Sequence, residues 1–172
     1  MASNQILKLG EPSTPAPFKK NRNKTKRLAC TDYNVAWICA LPDLELLAAR
    51  VLLDEEHATP IFDTKYDQNT YTCGLVGGHR VVLACLPSGR SGNVSASHLT
   101  MPMFNTFPNI KITLLVGIGG GVPIDLMTPS RREDIYLGDV VVGWPADGSP
   151  AVIQYDLGRW KVDEFEQRGY VE

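Results

Sequence analysis

Apolar positions gather into short runs rather than into long helical stripes, and each run is closed by proline or glycine. Tyr33-Asn34-Val35-Ala36-Trp37-Ile38-Cys39-Ala40-Leu41 is almost continuously apolar and stops at Pro42, the signature of a buried strand. Pro42-Asp43 then opens a stretch of strong helix formers, Leu44 to Asp54, with an acid early and proline at the entry, which predicts a helix. Residues 55–69 are polar and irregular. Two β-rich runs, Thr70 to Val76 and Arg80 to Leu86, are joined through Gly77-Gly78-His79 and predict a hairpin. After the loop Pro87 to Asn93, a helix is expected from Val94 to Thr106 with Asn93 as its cap. Lys111 to Val116, Tyr136 to Trp144 and Ala151 to Asp156 supply three further expected strands. The order β-α-β-β-α-β-β-β predicts an α/β architecture with a mixed sheet.

The run Lys111 to Val116 ends in Gly117-Ile118-Gly119-Gly120-Gly121-Val122-Pro123. Glycines bare the main-chain N–H groups to whatever lies beyond the strand, and they also permit positive φ. Ligands of open α/β sheets collect at the carboxyl ends of strands, so this turn is a candidate site for a small anionic or sugar-bearing molecule. The alternative is a tight structural crossover. A dinucleotide turn is excluded, because Val122 occupies the third glycine position and prolines follow where a helix would have to begin. No Lys-Ser or Lys-Thr follows the glycines, which excludes a P-loop.

The chain has 172 residues, the size of one domain, and 44% of them are hydrophobic. A net charge of −2 conceals a division. Residues 1–31 hold seven basic residues against Glu11 alone, a local charge of +6, so the remainder carries −8. The sequence therefore divides into a disordered basic arm, 1–32, and a folded acidic body, 33–172. The cluster 19–27 reads as a solvated tail or a nuclear localisation signal; no aromatic residue interleaves it, so nucleic acid is not an expected partner. No secretory leader or membrane span is recognisable, and an intracellular, cytoplasmic location is expected, with the nucleus as the alternative through the arm. Cys30, Cys39, Cys73 and Cys85 form no C-x-x-C pair and stand at no metal-ligand spacing, so no metal and no cofactor are expected. His57, His79 and His98 read as packing or surface residues.

Five ordered segments resemble the N-terminal half of the nucleoside phosphorylase superfamily, in the branch that heads fungal NLR-like proteins. They are Trp37-Ile38-Cys39-Ala40-Leu41-Pro42 with Glu45, Ala84-Cys85-Leu86-Pro87-Ser88-Gly89, Val116 to Pro123, Leu137-Gly138-Asp139-Val140-Val141-Val142, and Gln154-Tyr155-Asp156. The resemblance implies a three-layer α/β/α sandwich around a mixed β-sheet, incomplete at its C-terminus. It implies cleavage of the N-glycosidic bond of a purine nucleoside, with phosphate or water as co-substrate. It makes Glu45 the residue that activates water, and puts Ala40, Ser88, Gly89, Gly117, Gly119, Gly120 and Gly121 along the substrate and nucleophile. A homo-oligomer is also in keeping with it.

Two departures bear on that chemistry. The family's phosphorylases carry an arginine and a hydroxyl residue where this chain has Leu115 and Ile118, which favours hydrolysis over phosphorolysis. The Met-Glu pair with which the family holds the ribose occurs nowhere in the chain. The alternative is a catalytically degenerate module that senses a nucleoside or binds a protein partner, and a third reading is a gene remnant without a stable fold.

Overall fold

A computed structural model describes residues 26–121, 135–144, 152, 158–162 and 165–167. By their contacts these belong to two compact units, one over Lys19–Gly119 and the other containing Gly120–Glu172, and each is described by itself.

The first unit is an α/β assembly around a mixed five-stranded sheet. Its strands are β1 (Val35–Cys39), β2 (Glu55–His57), β3 (Tyr71–Val76), β4 (His79–Cys85) and β5 (Ile112–Leu115), in the spatial order β2-β3-β4-β1-β5. β1 runs parallel to both β4 and β5, with Trp37 opposite Leu83 on one side and Leu114 on the other. β3 is antiparallel to β2 and β4. The β3–β4 connection is the Gly77-Gly78 turn, where φ of +54° and +84° puts both residues in the left-handed region that glycine alone adopts without cost.

Strand periodicity divides the core in two. Ala36, Ile38, Val82, Ala84, Tyr71 and Cys73 face Leu99, Met103 and Phe107 at one side of the sheet. Leu99 and Met103 belong to helix α2 (Gly92–Thr106). Cys39, Val81 and Leu83 face the other way, onto Ala49 and Leu53. That side is covered by a π-helical turn, Pro42–Leu46, continuing into the short helix α1 (Leu47–Val51). One helix thus lies on each face of the sheet. Tyr71 and Phe107 meet edge to face at 5.0 Å, and Tyr33 meets the same ring at 5.8 Å, so three aromatic rings fill the centre of the α2 side.

Three expectations are corrected in this unit. The polar stretch after residue 54 contains β2, recruited by β3 although its own residues, Glu55-Glu56-His57, are poor strand formers. Helix α2 starts at Gly92 with Ser91 at its cap and no side-chain cap bond, so Asn93 lies inside the helix. Ordered contacts also precede Tyr33: Arg27 bridges to Ala58, Leu28 and Cys30 pack on the α2-side core, and Cys30–Asp32 form a 3-10 turn.

In the second unit, Tyr136 to Trp144 is not a strand. The Tyr136 N–H bonds the Asp139 carboxylate at 2.9 Å and the Asp139 N–H returns to the Tyr136 carbonyl at 3.0 Å, a turn with Gly138 at φ +98°. Only Val141 there carries a bridge. The short pair β6 (Gly158–Trp160) and β7 (Phe165–Gln167) has no signal in the sequence pattern; the Trp160 and Phe165 rings meet at a tilt, 5.2 Å between centres. The expected strand Ala151 to Asp156 lies outside the described residues except for Val152, as does residues 1–25 of the arm. No helix among the described residues is long and apolar enough to cross a membrane.

Candidate functional site

The parallel strands β1, β4 and β5 all end at one edge of the sheet, and Ala40, Leu86 and Val116 continue from them. The chain is held together there by its own backbone: the Leu86 N–H reaches the Cys39 carbonyl at 3.1 Å and the Val116 N–H reaches the Ile38 carbonyl at 3.0 Å. Into this edge the π-helical turn delivers Glu45. Both the Glu45 and Leu46 N–H groups bond the Leu41 carbonyl, at 2.9 and 3.2 Å, so the turn folds back over its own start.

The Glu45 side chain is 9% exposed. Its Oε2 accepts the Ala40 and Leu41 N–H groups at 2.7 and 3.0 Å. Its Oε1 crosses to the glycine turn and accepts the Ile118 N–H at 3.0 Å. One carboxylate therefore ties the loop after β1 to the loop after β5. Burial raises the proton affinity of this carboxyl, but the amides of Leu41, Ile118 and Ala40 favour the ionised form more, and the net result lies below the ordinary carboxylate value of 4.5.

Glycine at 117 is required by close approach. A Cβ there would stand 2.6 Å from Glu45 Oε1. None of Gly117, Gly119, Gly120 and Gly121 has a positive φ, so conformational freedom is not what selects glycine here. At Gly119 a Cβ would meet nothing within 4 Å, which leaves the backbone open to a ligand. Gly120 and Gly121 open the second unit; a Cβ on Gly121 would lie 3.3 Å from the Ile135 carbonyl.

Of the residues singled out from the sequence, the structure brings together Ala40, Glu45 and Gly117. Ser88 and Gly89 follow β4 at the same sheet edge in an exposed turn, with Gly89 at φ +75°. The participants that sequence reasoning missed are the main-chain amides of Leu41 and Ile118, which no side-chain pattern reveals. Beside the site, Cys39 is pushed up to about 11 by burial and by nearby Cys85 and Glu45. Cys85 is raised by burial, Glu45 and Asp43. Burial and the neighbouring acidic groups thus disfavour the thiolate form at both positions.

A cleft of about 330 Å³ lies at the opposite end of the strands, where Asn34 precedes β1 and Lys111 precedes β5. Thr31, Asp32, Arg80 and Asn109 complete its lining, and Arg80 and Asp32 stand 3.6 Å apart. Among the described residues, no three His, Cys, Asp or Glu groups cluster as a metal site.

Comparison with known proteins adds context to this edge. Over 144 residues the chain is 42% identical to a nucleotide-binding leucine-rich repeat (NLR)-like protein of Hyaloscypha variabilis. It is similar to part of a fungal NLR-like protein. The match takes in 84% of this chain but spans only 14% of the NLR-like protein's length. No family model matches the chain. No solved structure matches it either.

Proposed function

We propose that this chain is a sensing module related to NLR-like proteins, which binds a small nucleoside-like ligand at the glycine turn without cleaving it. One observation carries the reading. Both oxygens of Glu45 accept main-chain N–H groups, at 2.7 to 3.0 Å, and the group is a poorer base than an ordinary carboxylate. A general base that activates water needs a lone pair aimed at the water and a proton affinity matched to the working pH. Glu45 instead spends its hydrogen-bonding capacity on shaping the turn. The open backbone at Gly119 and the bare end of β5 then offer the peptide groups a sugar hydroxyl or base edge would engage. The similarity to an NLR-like protein supports a recognition role over a metabolic one.

The test is calorimetry of the chain with adenosine, inosine and methylthioadenosine, paired with chromatography of the same mixtures for free base. Binding heat without base release is the expected result. Base release above a Glu45→Gln control would replace sensing with hydrolysis. Absence of heat for all three at millimolar concentration would remove the ligand site altogether.

A further inference from the structure

The cleft at the amino ends of the strands is built on a row of three residues. Val35 stands in register with Val81 of β4 and with Ile112 of β5, so the residues one step earlier, Arg80, Asn34 and Lys111, stand level across the three chains. Main-chain bonds hold that level. The Asn34 N–H donates to the Arg80 carbonyl at 3.2 Å, and the Lys111 N–H donates to the Asn34 carbonyl at 2.9 Å. Adjacent strands lie about 4.8 Å apart, which puts the two cationic residues roughly 10 Å from each other with an amide residue between them. Thr31, Asp32 and Asn109 complete the lining.

These side chains hold more donors than the cleft itself uses. Guanidinium and ammonium groups donate and do not accept. Asp32 is the acid of the lining, and its Oδ2 is taken by the Ala29 N–H at 2.9 Å. Its Oδ1 stands 3.6 Å from the Arg80 guanidinium, which orients that group without consuming its donors. The Asn109 carboxamide is pinned by the Thr31 carbonyl at 2.7 Å and keeps a second N–H. Among the described residues, the side chains of Lys111 and Asn34 have no hydrogen-bond or ionic partner. Two cations thus face one acid, in a body whose residues 32–172 sum to −8. The complement of such a lining is an anion rich in acceptors. No aromatic or aliphatic side chain lines the cleft, so a base or a hydrocarbon portion would gain no contact there. A phosphate monoester carries about −1.5 to −2 charge on three strong acceptor oxygens, and so matches two cations around an amide better than a carboxylate does.

We propose that this cleft binds a small phosphorylated polyol, with its phosphate between Arg80 and Lys111 over the Asn34 amide and its hydroxyls on Asn109, Thr31 and Asp32. The site lies at the other end of the strands from the glycine turn and is independent of any ligand there. Calorimetry of the full chain at low ionic strength tests it, with glucose 6-phosphate, inorganic phosphate and glucose as the probes. Glucose 6-phosphate is expected to bind saturably, one per chain, and more tightly than inorganic phosphate, while glucose alone gives no heat. Lys111→Gln and Arg80→Gln should each weaken binding at least about tenfold, the cost of losing a charged donor. Lys111→Arg keeps the charge and should hold affinity within about threefold. Both residues are exposed, so the melting temperature should not change; Lys111→Gln decides the matter if Arg80→Gln disturbs the Asp32 contact. No heat from glucose 6-phosphate up to about 10 mM would overturn the proposal. So would an affinity that survives Lys111→Gln but is lost in Lys19→Gln/Lys20→Gln, because the anion would then sit on the basic arm. Equal affinity for inorganic phosphate and glucose 6-phosphate would overturn it as well, since the polyol would make no contact.

Discussion

At the scale of single residues, the Glu45 tie predicts its own energetics. Gly117→Ala would drive a methyl group to 2.6 Å from Glu45 Oε1, so either the carboxylate or the Ile118 amide must move. The expected loss is about 1–3 kcal/mol of unfolding free energy, read from urea denaturation. Glu45→Gln replaces an acceptor with an amide donor among N–H groups and should cost a similar amount, about 1–3 kcal/mol. The pH dependence follows from the direction of the shift. The folded proton affinity lies below the ordinary 4.5, so Glu45 stabilises the fold fully above that value, and the contribution disappears as pH falls through the lower, folded value. Wild type should therefore lose stability in acid faster than Glu45→Gln. His57 behaves in the same direction at higher pH. It is buried, its Nδ1 lies 3.0 Å from the Tyr33 hydroxyl, and burial lowers its proton affinity against the pull of Glu55. Its share of stability is complete above its ordinary value of 6.5 and is lost as pH drops through the folded value. Urea midpoints should thus decline on acidification below 6.5, and His57→Gln should flatten that decline.

Among elements, the loop between β2 and β3 depends on a buried acid that no motif announced. Asp67 is 2% exposed and accepts the Tyr71 hydroxyl at 2.7 Å and the Thr106 hydroxyl at 2.5 Å, joining loop, strand and helix α2. It also accepts the Asn69 N–H at 3.0 Å, and the Asn69 amide bonds the Leu99 carbonyl. Asp67→Ala would leave the buried Tyr71 hydroxyl and the half-buried Thr106 hydroxyl without their shared acceptor, with an expected cost of about 2–4 kcal/mol by thermal unfolding. The sequence made this stretch look like a plain connection because Asp and Asn are also what solvent-exposed turns use. β1 and β4 were legible for the opposite reason: a strand buried on both faces is apolar at nearly every position, and runs such as Val81-Val82-Leu83-Ala84-Cys85 have no polar residue to be confused with a loop. β2 was hidden because an edge strand's pairing comes from its neighbour's backbone. Tyr136 to Trp144 misled because three valines and a tryptophan satisfy strand composition, whereas Asp139 closes a local turn on Tyr136. At the candidate site, the strand-end pattern pointed to the glycines and the family resemblance to the carboxylate. Neither revealed that one would serve the other.

For the molecule as a whole, both core clusters fall within one unit. Every residue of the α2-side and α1-side cores lies between Leu28 and Ile110, and the Glu45 tie closes at Ile118. A fragment covering 19–119 should therefore unfold cooperatively on its own, with a single thermal transition by circular dichroism and slow amide exchange at Ile118. It would still carry one liability. β5 bears apolar side chains on both faces, with Ile112 54%, Leu114 44% and Leu115 79% exposed, and it pairs through β1 on one side. An apolar edge strand of that kind templates intermolecular pairing unless a charge interrupts it. Leu115→Lys inserts that charge at the most exposed position without touching either core. Light scattering of the fragment should therefore drop sharply with this substitution while the melting temperature stays constant. If the substitution instead lowers the melting temperature, Leu115 contributes to packing in the fragment, and the edge is not the source of its aggregation.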